Sequence, residues 1–78
     1  MPWLVTHSGD ALNTEHVQRL YAEKTKVKAQ IAGFSVNVAV DLPPDVAQRM
    51  LRVILDEMIQ GLSVEVVGEE VRRLTGLR

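Results

Sequence analysis

The chain has no cysteine, one each of tryptophan, tyrosine and phenylalanine, and no excess of either charge. Each shortage excludes something. Without thiols there is no disulfide, no thiolate nucleophile and no thiolate zinc site. Nine Lys and Arg against ten Asp and Glu leave a net charge of −1. A nucleic-acid module ordinarily shows a basic excess, because neutralising phosphates supplies most of its affinity, so nucleic acid is disfavoured as a partner. No apolar run approaches the roughly 20 residues of a membrane span. The start, Met1-Pro2-Trp3-Leu4-Val5-Thr6-His7-Ser8, lacks the basic and apolar regions of a secretory signal. The expectation is a soluble, cytoplasmic chain with no membrane contact.

What is present is aliphatic. Of 78 residues, 46% are apolar and 12 are valine. Area scaling buries only about 62% of the surface of so short a chain, so it is marginal as an isolated domain. The apolar fraction excludes intrinsic disorder, and it exceeds what a small interior readily absorbs. One domain spans 1–78, and the question is where the surplus goes.

Along the chain, Trp3, Leu4 and Val5 run into Ser8-Gly9-Asp10, which is turn chemistry, and Ala11-Leu12 resume. The first dozen residues read as a small hairpin, with Trp3 as an apolar plug on the sheet end. Residues 13–24 are ambiguous. Val17, Leu20, Tyr21 and Lys24 follow helical spacing, slightly favouring a helix, but Val17 to Glu23 also suits a strand. The next segment is clear. Val27, Ala29 and Ile31 alternate with Lys26, Lys28 and Gln30; then Phe34, Val36, Val38 and Val40 alternate with Ser35, Asn37 and Ala39. Two such runs about Ala32-Gly33 make an antiparallel hairpin, with Phe34 and the valines as sheet interior. Residues 1–41 thus read as a β-meander.

A main helix over 43–60 follows, with proline tolerated in its first turn, Asp45 suiting the dipole and Gly61 closing it. In the C-terminal segment, 62–76, Val64, Val67, Val71 and Leu74 sit at 3-4-3 spacing. Glu69 and Glu70 precede Arg72 and Arg73, and Gly76 stands ready as a cap, so a short terminal helix is expected. Against it, Val64 to Val67 has strand propensity and Gly68 interrupts.

Trp3-Leu4-Val5, the turn at Ser8-Gly9, Leu12-Asn13 and Val17 resemble the start of a loosely defined group of short bacterial and phage-borne proteins. In these, the Asn of an apolar-Asn pair precedes a turn, a hairpin follows, and an amphipathic helix begins after an Asp, here Asp41. The likeness covers residues 3 to about 60. It implies an antiparallel sheet of four or five strands with a helix across one face, and it makes Val17 to Glu23 a strand. The chain departs from the group at Leu42-Pro43-Pro44 and after Gly61. No function is assigned to the group, so no site residue carries over. The expected fold is α+β: a small antiparallel sheet of four to five strands, a long amphipathic helix on one face and a short C-terminal helix.

Groups that suggest chemistry each have a plainer explanation. His7, Asp10, Glu15 and His16 are metal-type side chains without a ligand signature and in polar loops. Ser8, Asp10 and His16 make a triad only on paper, since a Ser-Gly hairpin tip offers no oxyanion pocket. Asp56 and Glu57 are adjacent on a helix and point about 100° apart, which reads as a solvated face. Lys24, Lys26 and Lys28 form a basic stripe, read as a solvated outer face whose lysines guard a strand against edge pairing. No cofactor, metal, small-molecule ligand or catalytic residue is expected, and the chain does not read as an enzyme.

The helix carries the surplus. Its apolar residues span an arc of roughly 200°, where covering one sheet face needs little over 100°. Only Glu57 interrupts that arc. Two covers are available: the C-terminal segment, or a second copy, the commonest assembly being a two-fold dimer. The expected function is a small non-enzymatic interaction module that self-associates through Met50, Leu51, Ile54, Leu55, Met58, Ile59, Val64, Val67, Val71 and Leu74. The alternative is a nucleic-acid-associated regulator using Lys24, Lys26 and Lys28 with Arg49 and Arg52.

Overall fold

A computed structural model describes residues 2–74. Seven strands and one long helix follow in order: β1 Trp3–Val5, β2 Ala11–Asn13, β3 Val17–Glu23, β4 Lys26–Ile31, β5 Phe34–Ala39, α1 Pro44–Ile59, β6 Val64–Val67 and β7 Glu70–Arg73. The α+β class holds, but the strands form two sheets. One has the order β2-β1-β6-β7 and the other β3-β4-β5. Residues 1–41 are therefore divided: the first hairpin leaves the meander and joins the C-terminal strands.

Segment 17–23 is a strand, the outcome implied by the resemblance and opposed by the slight helical spacing. Its cross-strand partners explain why. Leu20 and Ala22 face Ala29 and Val27 across the ladder. Period-two burial against β4 outweighs weak helical periodicity, because the neighbouring strand satisfies the backbone and the side chains together. β4 and β5 meet through a two-residue turn with Ala32 at φ +50° and Gly33 at φ +82°. Positive φ at both central positions is the primed hairpin turn, whose twist matches that of the strands.

The terminal helix is absent: residues 64–73 form a hairpin. Val64 and Val66 are both buried while Val67 is exposed, which is period two and not a helical stripe. Gly68, at φ +59°, supplies the reversal between Val67 and Glu70. The 3-4-3 valine spacing was misleading because β-branched side chains next to an available strand gain more from a ladder than from helical turns. That available strand is β1. Leu4 aligns with Val64 in a parallel pair, so the two ends of the chain are sewn together. The Trp3 N–H donates to Ser63 Oγ at 2.8 Å, and the Leu74 N–H donates to the Ser63 carbonyl at 2.9 Å. Thr75 and Gly76, the expected end of the helix, lie outside the described residues.

α1 starts with Pro44 in its first turn and no side-chain cap. It ends in a double-bonded reversal: Gly61 N–H to Met58 O and Leu62 N–H to Glu57 O, both 3.0 Å. The core joins both sheets and the helix: Leu4, Val64 and Val66, with Val27, Ala29 and Val38, close on Val46, Ala47, Met50 and Ile54. Phe34 is not part of it. It stands 73% exposed on β5, beyond the region that α1 covers over β3 and β4.

Candidate interaction surfaces

The two flanks of α1 are treated differently. On one flank lies β7. Arg73 Nε donates to Glu57 Oε2 at 2.7 Å and its NH2 group to Glu57 Oε1 at 3.0 Å. This two-pronged contact explains the single acidic residue inside the apolar arc. Glu57 is not solvated: its side chain is only 12% exposed, and it holds the terminal hairpin against the helix. The bonds to Glu57 and its charge raise the Arg73 pKa further above its ordinary value. Beside this contact, Val46, Arg49, Met50 and Val53 face Glu69, Glu70 and Val71 across an open groove of about 310 Å³. Of the two candidate covers for the wide stripe, the C-terminal segment thus packs against part of it.

The other flank has no such cover among the described residues. Leu51, Leu55 and Ile59 recur every four residues and form one ridge, half-buried at Leu51, 38% exposed at Leu55 and 82% at Ile59. A shallow depression of about 140 Å³ runs along it, lined by Gln48, Leu51, Arg52 and Leu55. Met58 is half-buried between ridge and core.

The ten residues expected at the surface divide accordingly. Met50, Ile54 and Val64 are at most 3% exposed and belong to the chain's own core. Val71 and Leu74 are half-buried on the terminal hairpin, and Val67 is 39% exposed at its turn. Leu51, Leu55, Met58 and Ile59 remain together. The sequence marked the arc but not its division, because helical spacing does not say which side a distant strand takes.

The other groups fall into place locally. Among the described residues no three of His, Asp and Glu come together as a metal set, and His7, Asp10, Glu15 and His16 are all exposed. Ser8 Oγ donates to Asp10 Oδ2 at 3.2 Å and lies 3.1 Å from the Thr6 hydroxyl, so the hairpin tip is a self-contained hydrogen-bonded turn. Lys26 and Lys28 sit on β4, which is the central strand of its sheet. They therefore guard no edge, although they do lie on the outer face of the sheet as the alternation indicated.

No helix among the described residues is long and apolar enough to cross a membrane. No family model, curated protein or solved structure matches this chain.

Proposed function

We propose that the chain is a small non-enzymatic interaction module that self-associates, most simply as a two-fold dimer, through the Leu51–Leu55–Ile59 ridge of α1. The observation that carries this reading is the exposure of that ridge, above all at Ile59, while the terminal hairpin covers part of the opposite flank and leaves Val53 39% exposed. Ile59 at 82% and Leu55 at 38% are large aliphatic side chains facing water on one helix face. Ridges of residues four apart pack into one another when two helices cross, so a second copy supplies a matching surface. Arg52 and Asp56, both exposed on α1, have opposite signs. An antiparallel crossing sets one against the other across the two-fold axis.

Light scattering at micromolar concentration tests it. The expected mass is twice 8.7 kDa, falling to that of the monomer in Leu55→Asp and Ile59→Asp while both variants keep their circular dichroism. A wild-type chain that stays monomeric at every concentration where it is folded overturns the reading.

A further inference from the structure

The bulk charge of −1 conceals a segregation. Arg19, Lys24, Lys26 and Lys28, with Glu23 as the one carboxylate among them, place +3 within ten residues and leave −4 on the rest of the chain. The fold then gathers these groups. Because Leu20, Ala22, Val27, Ala29 and Val36 occupy the inner face of β3-β4-β5, the alternating residues share the outer face: Arg19, Tyr21 and Glu23 on β3, Lys26, Lys28 and Gln30 on β4, Ser35 and Asn37 on β5. Lys24 is exposed in the adjoining β3–β4 turn. Arg19, Ser35 and Asn37 are exposed, and Tyr21, Lys26, Lys28 and Gln30 are half-exposed, so the face is open to water.

Within it Tyr21 is anchored. Its hydroxyl lies 3.1 Å from Ser35 Oγ, two strands away, so the ring lies across the sheet. The Arg19 guanidinium stands over that ring, 4.7 Å from its centroid. A guanidinium over an aromatic ring offers a cationic surface against which a nucleobase stacks. Around it, Lys24 and Lys26 have no carboxylate within ion-pair distance among the described residues, whereas Lys28 reaches Glu23 at 3.6 Å. Gln30 and Asn37 add amide groups able to meet base edges.

We propose that this outer face binds single-stranded nucleic acid, a base stacking on the Arg19–Tyr21 pair while Lys24, Lys26 and Lys28 take backbone phosphates. An acidic polypeptide would satisfy the lysines but would leave the stacked pair and the amides unused. The site is on a different surface from the α1 ridge and does not depend on self-association.

The test is fluorescence anisotropy with a labelled 12-nucleotide single-stranded DNA of mixed sequence, using the full chain. About three phosphate contacts give a log–log salt slope of roughly −2, or about a 15-fold loss of affinity between 50 and 200 mM salt. Arg19→Ala weakens binding about tenfold by removing the stacking platform. Lys26→Gln with Lys28→Gln reduces the slope to roughly −0.7. Glu23→Gln, which frees Lys28, tightens binding. All these changes are on the outer face, and unchanged thermal melts show that the fold survives. Ile59→Asp binds as the wild type does, so failure of the dimer reading leaves this result intact. No retention at 50 mM salt overturns the proposal. So does an unaltered affinity in Arg19→Ala, or displacement by polyglutamate or duplex DNA as effectively as by unlabelled single strand.

Discussion

The two flanks of α1 begin from the same aliphatic material and end differently. Toward β7, the helix meets a hairpin that brings its own valine and an arginine matched to Glu57. Toward Leu55 and Ile59, the same helix meets water. The covered flank holds the one charged residue inside the arc, whereas the Leu51–Leu55–Ile59 ridge is itself aliphatic and is only bordered by Arg52. A charge at the edge of an apolar stripe thus marks where the chain itself closes, because a half-buried carboxylate requires a partner fixed in the same chain. An unbroken aliphatic ridge makes no such demand and stays available to another molecule.

That contrast can be broken, and the largest effect comes from what the flanks share. Ile54, fully buried between them, leaves a cavity on Ile54→Ala. The expected loss is about 2–5 kcal/mol in a urea titration, most or all of the stability of a chain this short. Next is Gly68→Ala, which asks whether the covering element is a hairpin. At φ +59° with nothing near the new Cβ, the change costs about 1 kcal/mol through backbone strain alone. In a helix the same substitution would stabilise by a similar amount, so the sign of the shift in thermal midpoint decides.

Smaller still is the loss of the ion pair. Arg73→Ala lowers the thermal midpoint and speeds amide exchange in β7 relative to β4. Replacing Glu57 and Arg73 together by leucine is less harmful than the two single changes combined, since neither group is then left alone. The smallest effect on folding belongs to the open flank. Ile59→Asp, at a position 82% exposed, shifts monomer stability by about 0.5 kcal/mol, yet abolishes association in light scattering. A large loss of folding stability in Ile59→Asp would mean that the two flanks are not different in kind.

Much of the local structure was legible. The β4–β5 hairpin followed from two alternating runs about Gly33, and α1 from the proline start, the wide stripe and Gly61. Local signals of this kind are short-range: a turn needs its positive φ wherever it lies. The terminal segment was misread because Val64, Val67, Val71 and Leu74 satisfy a helical spacing, while the β1 strand that recruits Val64 and Val66 lies some 60 residues earlier. Phe34 was misplaced for a related reason. Alternation assigned it correctly to the inner face, but how far along that face the helix reaches is not written in the strand. The candidate ridge was contained in the expected surface, mixed with residues that the core claimed.

By itself the sequence determined the β4–β5 hairpin, the helix α1, the turns at Gly33 and Gly61, and that one helix is too apolar for one sheet; it did not decide between strand and helix at 17–23 or 64–73. The features it did determine depend on neighbours within a few residues, where sterics and solvation act directly. Tertiary structure decided the pairings: β1 beside β6, Arg73 upon Glu57, β4 in the centre of its sheet with its lysines facing outward. Those depend on contacts between residues distant in the chain. Many segments share the same propensity, and only the packing of all of them at once selects which meet.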